Sequence, residues 1–80
     1  PEYIEMTART IAGIYAALDS SEIAEEYYRK SIEIAKDKGY GVPYSQSLIG
    51  IADLFFKQEN YQEAFNYVNE GMLQAQRMGQ

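Results

Sequence analysis

The densest chemical feature of the chain is an acidic cluster, Glu22, Glu25 and Glu26. Neighbouring carboxylates can exchange protons as general acid and base, or hold a hard cation. Here they stand at the start of a helical stretch, where exposed amides and the helix dipole favour negative charge without any reaction. The chain holds no Cys and no His, which removes thiolate chemistry, imidazole bases, disulfides and the usual zinc ligands. No Ser or Thr has a general base beside it, and Gly39 and Gly41 precede a helix without the strand that a phosphate loop requires. Eight tyrosines remain, of which Tyr15, Tyr27, Tyr28, Tyr61 and Tyr67 recur at packing spacing, while Tyr3, Tyr40 and Tyr44 fall outside it. The inventory implies no enzyme, no cofactor and no metal.

Charge narrows the partners. Twelve acids oppose seven bases, for a net charge of −5, and such a surface repels phosphate backbones. No apolar stretch approaches the roughly 18 residues of a membrane span. The start lacks the basic-then-apolar order of a signal peptide, so a cytoplasmic location is expected. Because the chain begins at Pro1 rather than Met, a trimmed or fragmentary N-terminus is also expected.

The elements that must position these residues come in two copies. A shift of forty residues superimposes Ile11-Ala12 on Ile51-Ala52, Ala24 on Ala64, Tyr27 on Tyr67, Ala35 on Ala75 and Gly39 on Gly79. Volume and polarity stay in step elsewhere: Thr7 meets Ser47, Ile14 meets Leu54, Tyr15 meets Phe55, Asp19 meets Glu59 and Ser20 meets Asn60. Residues 1–40 and 41–80 are therefore read as tandem repeats of one continuous domain. Within each, apolar side chains follow the three-and-four spacing of a helix face. Breaks at Asp19-Ser20-Ser21 and Lys57-Gln58-Glu59-Asn60 divide the copies into hairpins. The spacing predicts helices near residues 2–18, 21–38, 44–58 and 61–78, an all-α fold of four antiparallel helices. Asn60 with Glu63 forms a variant capping box, Gly39 stops the second helix, and Pro43 opens the third.

The order Ala8, Ile11-Ala12, Tyr15, Ala24, Tyr28, and again Leu48, Ile51-Ala52, Phe55, Ala64, Val68, resembles the tetratricopeptide pattern over the whole chain. Two features depart from it. The closing Pro is missing, and the period is forty rather than about thirty-four. Longer repeats ending in an Ala-rich turn and Gly are similar to those of MalT-like and Rap-type bacterial regulators and of kinesin light chain.

The resemblance implies an α-solenoid segment whose first helix in each hairpin lines a concave groove for partner peptides. The positions implied on that face are Met6, Arg9, Gly13, Ala16 and Ala17, then Gln46, Ile49, Asp53, Phe56 and Lys57. They suit an apolar or mixed peptide. A clamp for a chaperone's C-terminal carboxylate is not made, since Gly13 stands where an amide is wanted and Asp53 repels a carboxylate. Nor do Asn60, Asn66 and Asn69 reach the face where regulators hold signalling peptides. The function implied is a non-catalytic scaffold that binds protein or peptide. The alternative is a sensor or oligomerisation segment of a larger transcriptional regulator or response-regulator phosphatase. Bare apolar ends at Tyr3, Ile4 and Met6, and at Phe65, Val68, Met72 and Ala75, imply self-association or cover by flanking repeats.

Overall fold

Helical periodicity in the sequence becomes four helices in the computed structural model, which describes residues 2–78: α1 (Glu2–Ala17), α2 (Ser21–Lys38), α3 (Gly41–Lys57) and α4 (Tyr61–Met78). No strand occurs among the described residues. One boundary moves from its expected place, because α3 begins at Gly41 rather than near residue 44. Pro43 falls inside the first turn, where an amide has no intrahelical partner and its loss costs nothing. Tyr44 N–H closes the first backbone bond, to Tyr40 O at 2.9 Å. Gly79, expected to close the last helix, lies outside the described residues.

Three helix ends share one device. A residue in the left-handed region reverses the chain at Asp19 (φ 61°), Gly39 (φ 74°) and Glu59 (φ 62°). The next amide then reaches back across the final turn: Ser20 to Tyr15 O at 2.8 Å, Tyr40 to Ala35 O at 2.8 Å, and Asn60 to Phe55 O at 2.9 Å. A second bond from the left-handed residue itself completes the pattern at each site. The Ser20 side chain makes no cap bond to α2. Backbone bonds open α2 and α4 instead, from Ala24 N–H to Ser20 O and from Ala64 N–H to Asn60 O.

Small residues set how closely the helices approach. Ala12 and Ala24 are fully buried where α1 crosses α2, and Ala52 and Ala64 are buried at the matching place in the second hairpin. An aromatic pair flanks each crossing. Tyr15 stacks on Tyr27 at 6.1 Å and 8°, and Phe55 stacks on Tyr67 at 5.7 Å and 6°. The forty-residue period is thus a period of contacts as well as of residue types. Tyr28, Ile51 and Leu54 join the two hairpins into one core. Tyr61 departs from its expected packing role: it is exposed and meets Phe56 edge-on at 5.4 Å.

Among the described residues α2 packs on both α1 and α3, α4 packs on α3 alone, and α1 touches α3. The result is a slab of 36 × 28 × 15 Å with α1 and α3 side by side in one layer. A left-handed backbone costs an L-residue about 1–2 kcal/mol, less for Asp than for Glu. Glu59→Gly should therefore raise the urea midpoint by an amount equivalent to about 0.5–1 kcal/mol, and Asp19→Gly by less. Equal or reversed effects would count against backbone strain at Glu59.

Candidate protein-interaction site

The junction between the hairpins is an occupied docking slot, and its chemistry defines what such a slot can hold. The Tyr28 ring, on α2, lies so close to Gly50 of α3 that a Cβ there would stand 2.5 Å from Cε1 and 2.9 Å from Cζ. Only a bare backbone admits the ring. The hydroxyl end of Tyr28 reaches toward Gly13 on α1. Burial, and then the nearby Asp53 charge, hold the Tyr28 hydroxyl above its ordinary pKa of 10.0.

Polar groups cross the same junction. Ser47 Oγ, on α3, donates to Glu5 Oε2, on α1, at 3.2 Å. Ser31 Oγ, on α2, lies 2.8 Å from Ser47 Oγ and 2.9 Å from Tyr28 O, so its single proton serves one acceptor at a time. Arg9 Nε approaches Glu5 Oε2 at 3.2 Å. All three of Glu5, Ser31 and Ser47 are fully buried, and Glu5 Oε1 has no partner. Burying a carboxylate is costly unless charge and hydrogen bonds offset it, so Arg9 and Ser47 are needed together.

The second hairpin carries a groove at the corresponding place. Ile49, Ala52, Asp53 and Phe56 of α3 face Tyr61, Ala64, Phe65 and Val68 of α4 across a groove of about 500 Å³. Its one charged wall, Asp53, is paired to Lys57 at 3.1 Å. Phe56, Phe65 and Tyr61 are each more than half exposed, so three aromatic rings border the groove on its open side.

Of the positions expected on the binding face, the structure gathers Ile49, Asp53 and Phe56 in this groove, with Lys57 beside Asp53. Met6 and Arg9 line a separate hollow with Tyr3, Glu5 and Pro43. Gly13 sits under the Tyr28 hydroxyl, while Ala17 and Gln46 are exposed outside the groove. Of the groove's α4 wall, Phe65 and Val68 were expected as a bare apolar end and Tyr61 as a packing residue, and none of the three was expected on the binding face. Their alignment with Ser21, Glu25 and Tyr28 held the signal, since two of the three are more apolar than their counterparts. No helix of the described residues is long and apolar enough to cross a membrane.

A tetratricopeptide repeat family model matches residues 3–72. The match is to the family as a whole and does not single out the MalT-like or Rap-type repeats. No curated protein and no solved structure matches the chain significantly.

Two outcomes follow from the junction. Gly50→Ala gains helix propensity of about 1 kcal/mol but overpacks Tyr28 at a cost of about 1–3 kcal/mol, so a net loss is expected in urea melts. With Tyr28→Val in the background the same change should turn stabilising; a loss in both backgrounds would refute the contact. The raised Tyr28 pKa leaves its stability contribution intact below pH 10.0 and removes it as pH climbs through the folded value. Tyr44, raised by burial and then by Glu70, acts in the same direction. Tyr28→Phe should therefore make the loss of stability above pH 10.0 shallower without abolishing it, measured as urea midpoint against pH.

Proposed function

The chain belongs to the tetratricopeptide repeat family, and on that premise we propose that it is a non-catalytic scaffold whose α3/α4 groove receives an apolar helix face from a protein partner. The observation that carries this reading is the repeat symmetry of the groove. Its counterpart between α1 and α2 is filled by a helix, α3, through uncharged residues. A groove with the same Ala floor, bordered by Ile49, Phe56, Phe65 and Val68, suits a ligand of the same kind. Met6, Gly13, Ala17 and Gln46 would flank a longer partner along the α1/α3 layer.

Rings such as Phe56 and Phe65 supply large contact area with few rotamers to freeze, so they are the expected anchors. Asp53 and Lys57 at the rim would orient a partner more than hold it, since exposed pairs contribute little. Selection from a displayed peptide library tests the reading. Bound sequences should carry apolar residues at helical spacing, and Phe56→Asp should weaken them by about tenfold or more. Failure to enrich any such sequence, or affinity indifferent to Phe56, would overturn it.

A further inference from the structure

A hollow of about 340 Å³ lies between the last turn of α2 and the C-terminal half of α4, beside the start of α3. Lys36 and Tyr40 line it from the end of α2 and the turn that follows, Tyr44 from α3, and Glu70, Gln74 and Arg77 from α4. The three α4 residues stand four and three apart, so they share one helix face. We propose that this hollow binds a small zwitterion, a free α-amino acid, with its ammonium at Glu70 and its carboxylate at Lys36 and Arg77. The hollow shares no residue with the α3/α4 groove.

Charge selects the ligand. Among the described residues Lys36, Glu70 and Arg77 enter no ion pair. A simple anion would meet Glu70, and a simple cation would meet Lys36 and Arg77, with like-charge repulsion in either case. A ligand of both signs satisfies both walls. Tyr44 shows that the two signs lie close together. Its hydroxyl donates to Glu70 Oε2 at 3.4 Å, and the Arg77 charge opposes the rise in its pKa that burial, then Glu70, produce. Arg77 Nη1 donates to Gln74 Oε1 at 3.2 Å, which leaves the rest of the guanidinium fork for a carboxylate.

Size narrows the class. Ligand pockets begin near about 300 Å³, so this hollow takes one residue rather than a folded segment. An extended peptide separates its terminal charges by about 3.3–3.6 Å per residue, whereas a free amino acid carries both on one carbon. Ala35 and the Tyr40 and Tyr44 rings offer apolar cover for its side chain.

The hollow is internal to the two hairpins, and a neighbouring repeat docked in the same way leaves it open. One period before Glu70, Gln74 and Arg77 stand Lys30, Ile34 and Asp37, which line an open hollow although a hairpin follows them. One period after Ala35 and Lys36 stand Ala75 and Gln76, which are exposed although a hairpin precedes them. The chemistry is not a by-product of the repeat plan either. Lys30 for Glu70 and Asp37 for Arg77 reverse the signs, and Ile4 replaces the phenol of Tyr44.

Calorimetric and NMR titration of the eighty-residue chain with each free L-amino acid tests this. At least one should saturate a single site and shift the Gly39 and Gly41 amide resonances. Its N-acetyl derivative, which lacks the ammonium, and its carboxamide, which lacks the carboxylate, should each bind about tenfold more weakly or worse. Glu70→Gln should weaken the free amino acid by a similar factor and remove its advantage over the N-acetyl form. Lys36→Gln with Arg77→Gln should do the same relative to the carboxamide; circular dichroism checks that both variants stay helical. Phe56→Asp, in the separate groove, should change none of these affinities, so the two readings stand or fall independently. The proposal is overturned if no amino acid saturates at tens of millimolar, or if binding ignores Glu70 and Arg77. Inorganic phosphate or the N-acetyl form binding as tightly as the free amino acid would make the hollow an anion site and overturn it equally.

Discussion

Everything in this fold depends on how near α2 and α3 can come, and that is set by one ring lying on one bare backbone. Tyr28 against Gly50 fixes the separation of the two hairpins. Given that separation, Ser31 and Ser47 fall within hydrogen-bonding distance, and Ser47 in turn reaches Glu5. A wider junction would leave the Glu5 carboxylate facing an apolar gap with Arg9 as its one partner. The polar contacts do not create the approach; they depend on it and then restrict its register, because hydroxyl and carboxylate must meet at particular atoms.

The two hairpins are alike in their inner seams and unlike in their outer faces. Both use an Ala pair at the crossing and a stacked aromatic pair beside it. The walls that receive the next helix differ. Glu5 and Arg9 stand at the junction between the hairpins, whereas one period later the sequence has Ser45 and Ile49, and Ile49 lines the α3/α4 groove. The first junction is therefore partly polar and the second almost wholly apolar. Such a contrast lets one backbone plan take inserts of different chemistry, and it locates function in the variable walls rather than in the shared crossing.

Much of this was legible in the sequence, for identifiable reasons. Ala12, Ala24, Ala52 and Ala64 stand at spacings that serve only close helix crossings, and Gly39 announces its left-handed turn. Asp19 and Glu59 take the same conformation without the glycine that would have disclosed it. Tyr44 follows Pro43 closely enough that the start of α3 was placed too late. Glu5 was harder, since an acid near a helix start reads as a solvated dipole partner and its burial requires knowing where α3 lies. Ile49, Asp53 and Phe56 were expected on a binding face through the family resemblance, which implies that the first helix of each hairpin lines the groove. Phe65 and Val68 were expected only as an apolar end for self-association or a flanking repeat, and Tyr61 as packing, because an apolar residue on the second helix of a hairpin does not disclose what covers it.

The list of which helices touch also governs how the chain acquires its shape. Among the described residues every packed pair is adjacent along the chain, apart from α1 with α3, one helix further. Native contacts thus join segments of small sequence separation, and the loops that must close to make them are short. Low contact order of this kind accompanies folding in microseconds to milliseconds. Each hairpin's seam joins neighbouring helices, and the contact of Tyr28 with Gly50 joins the two hairpins across one further short loop.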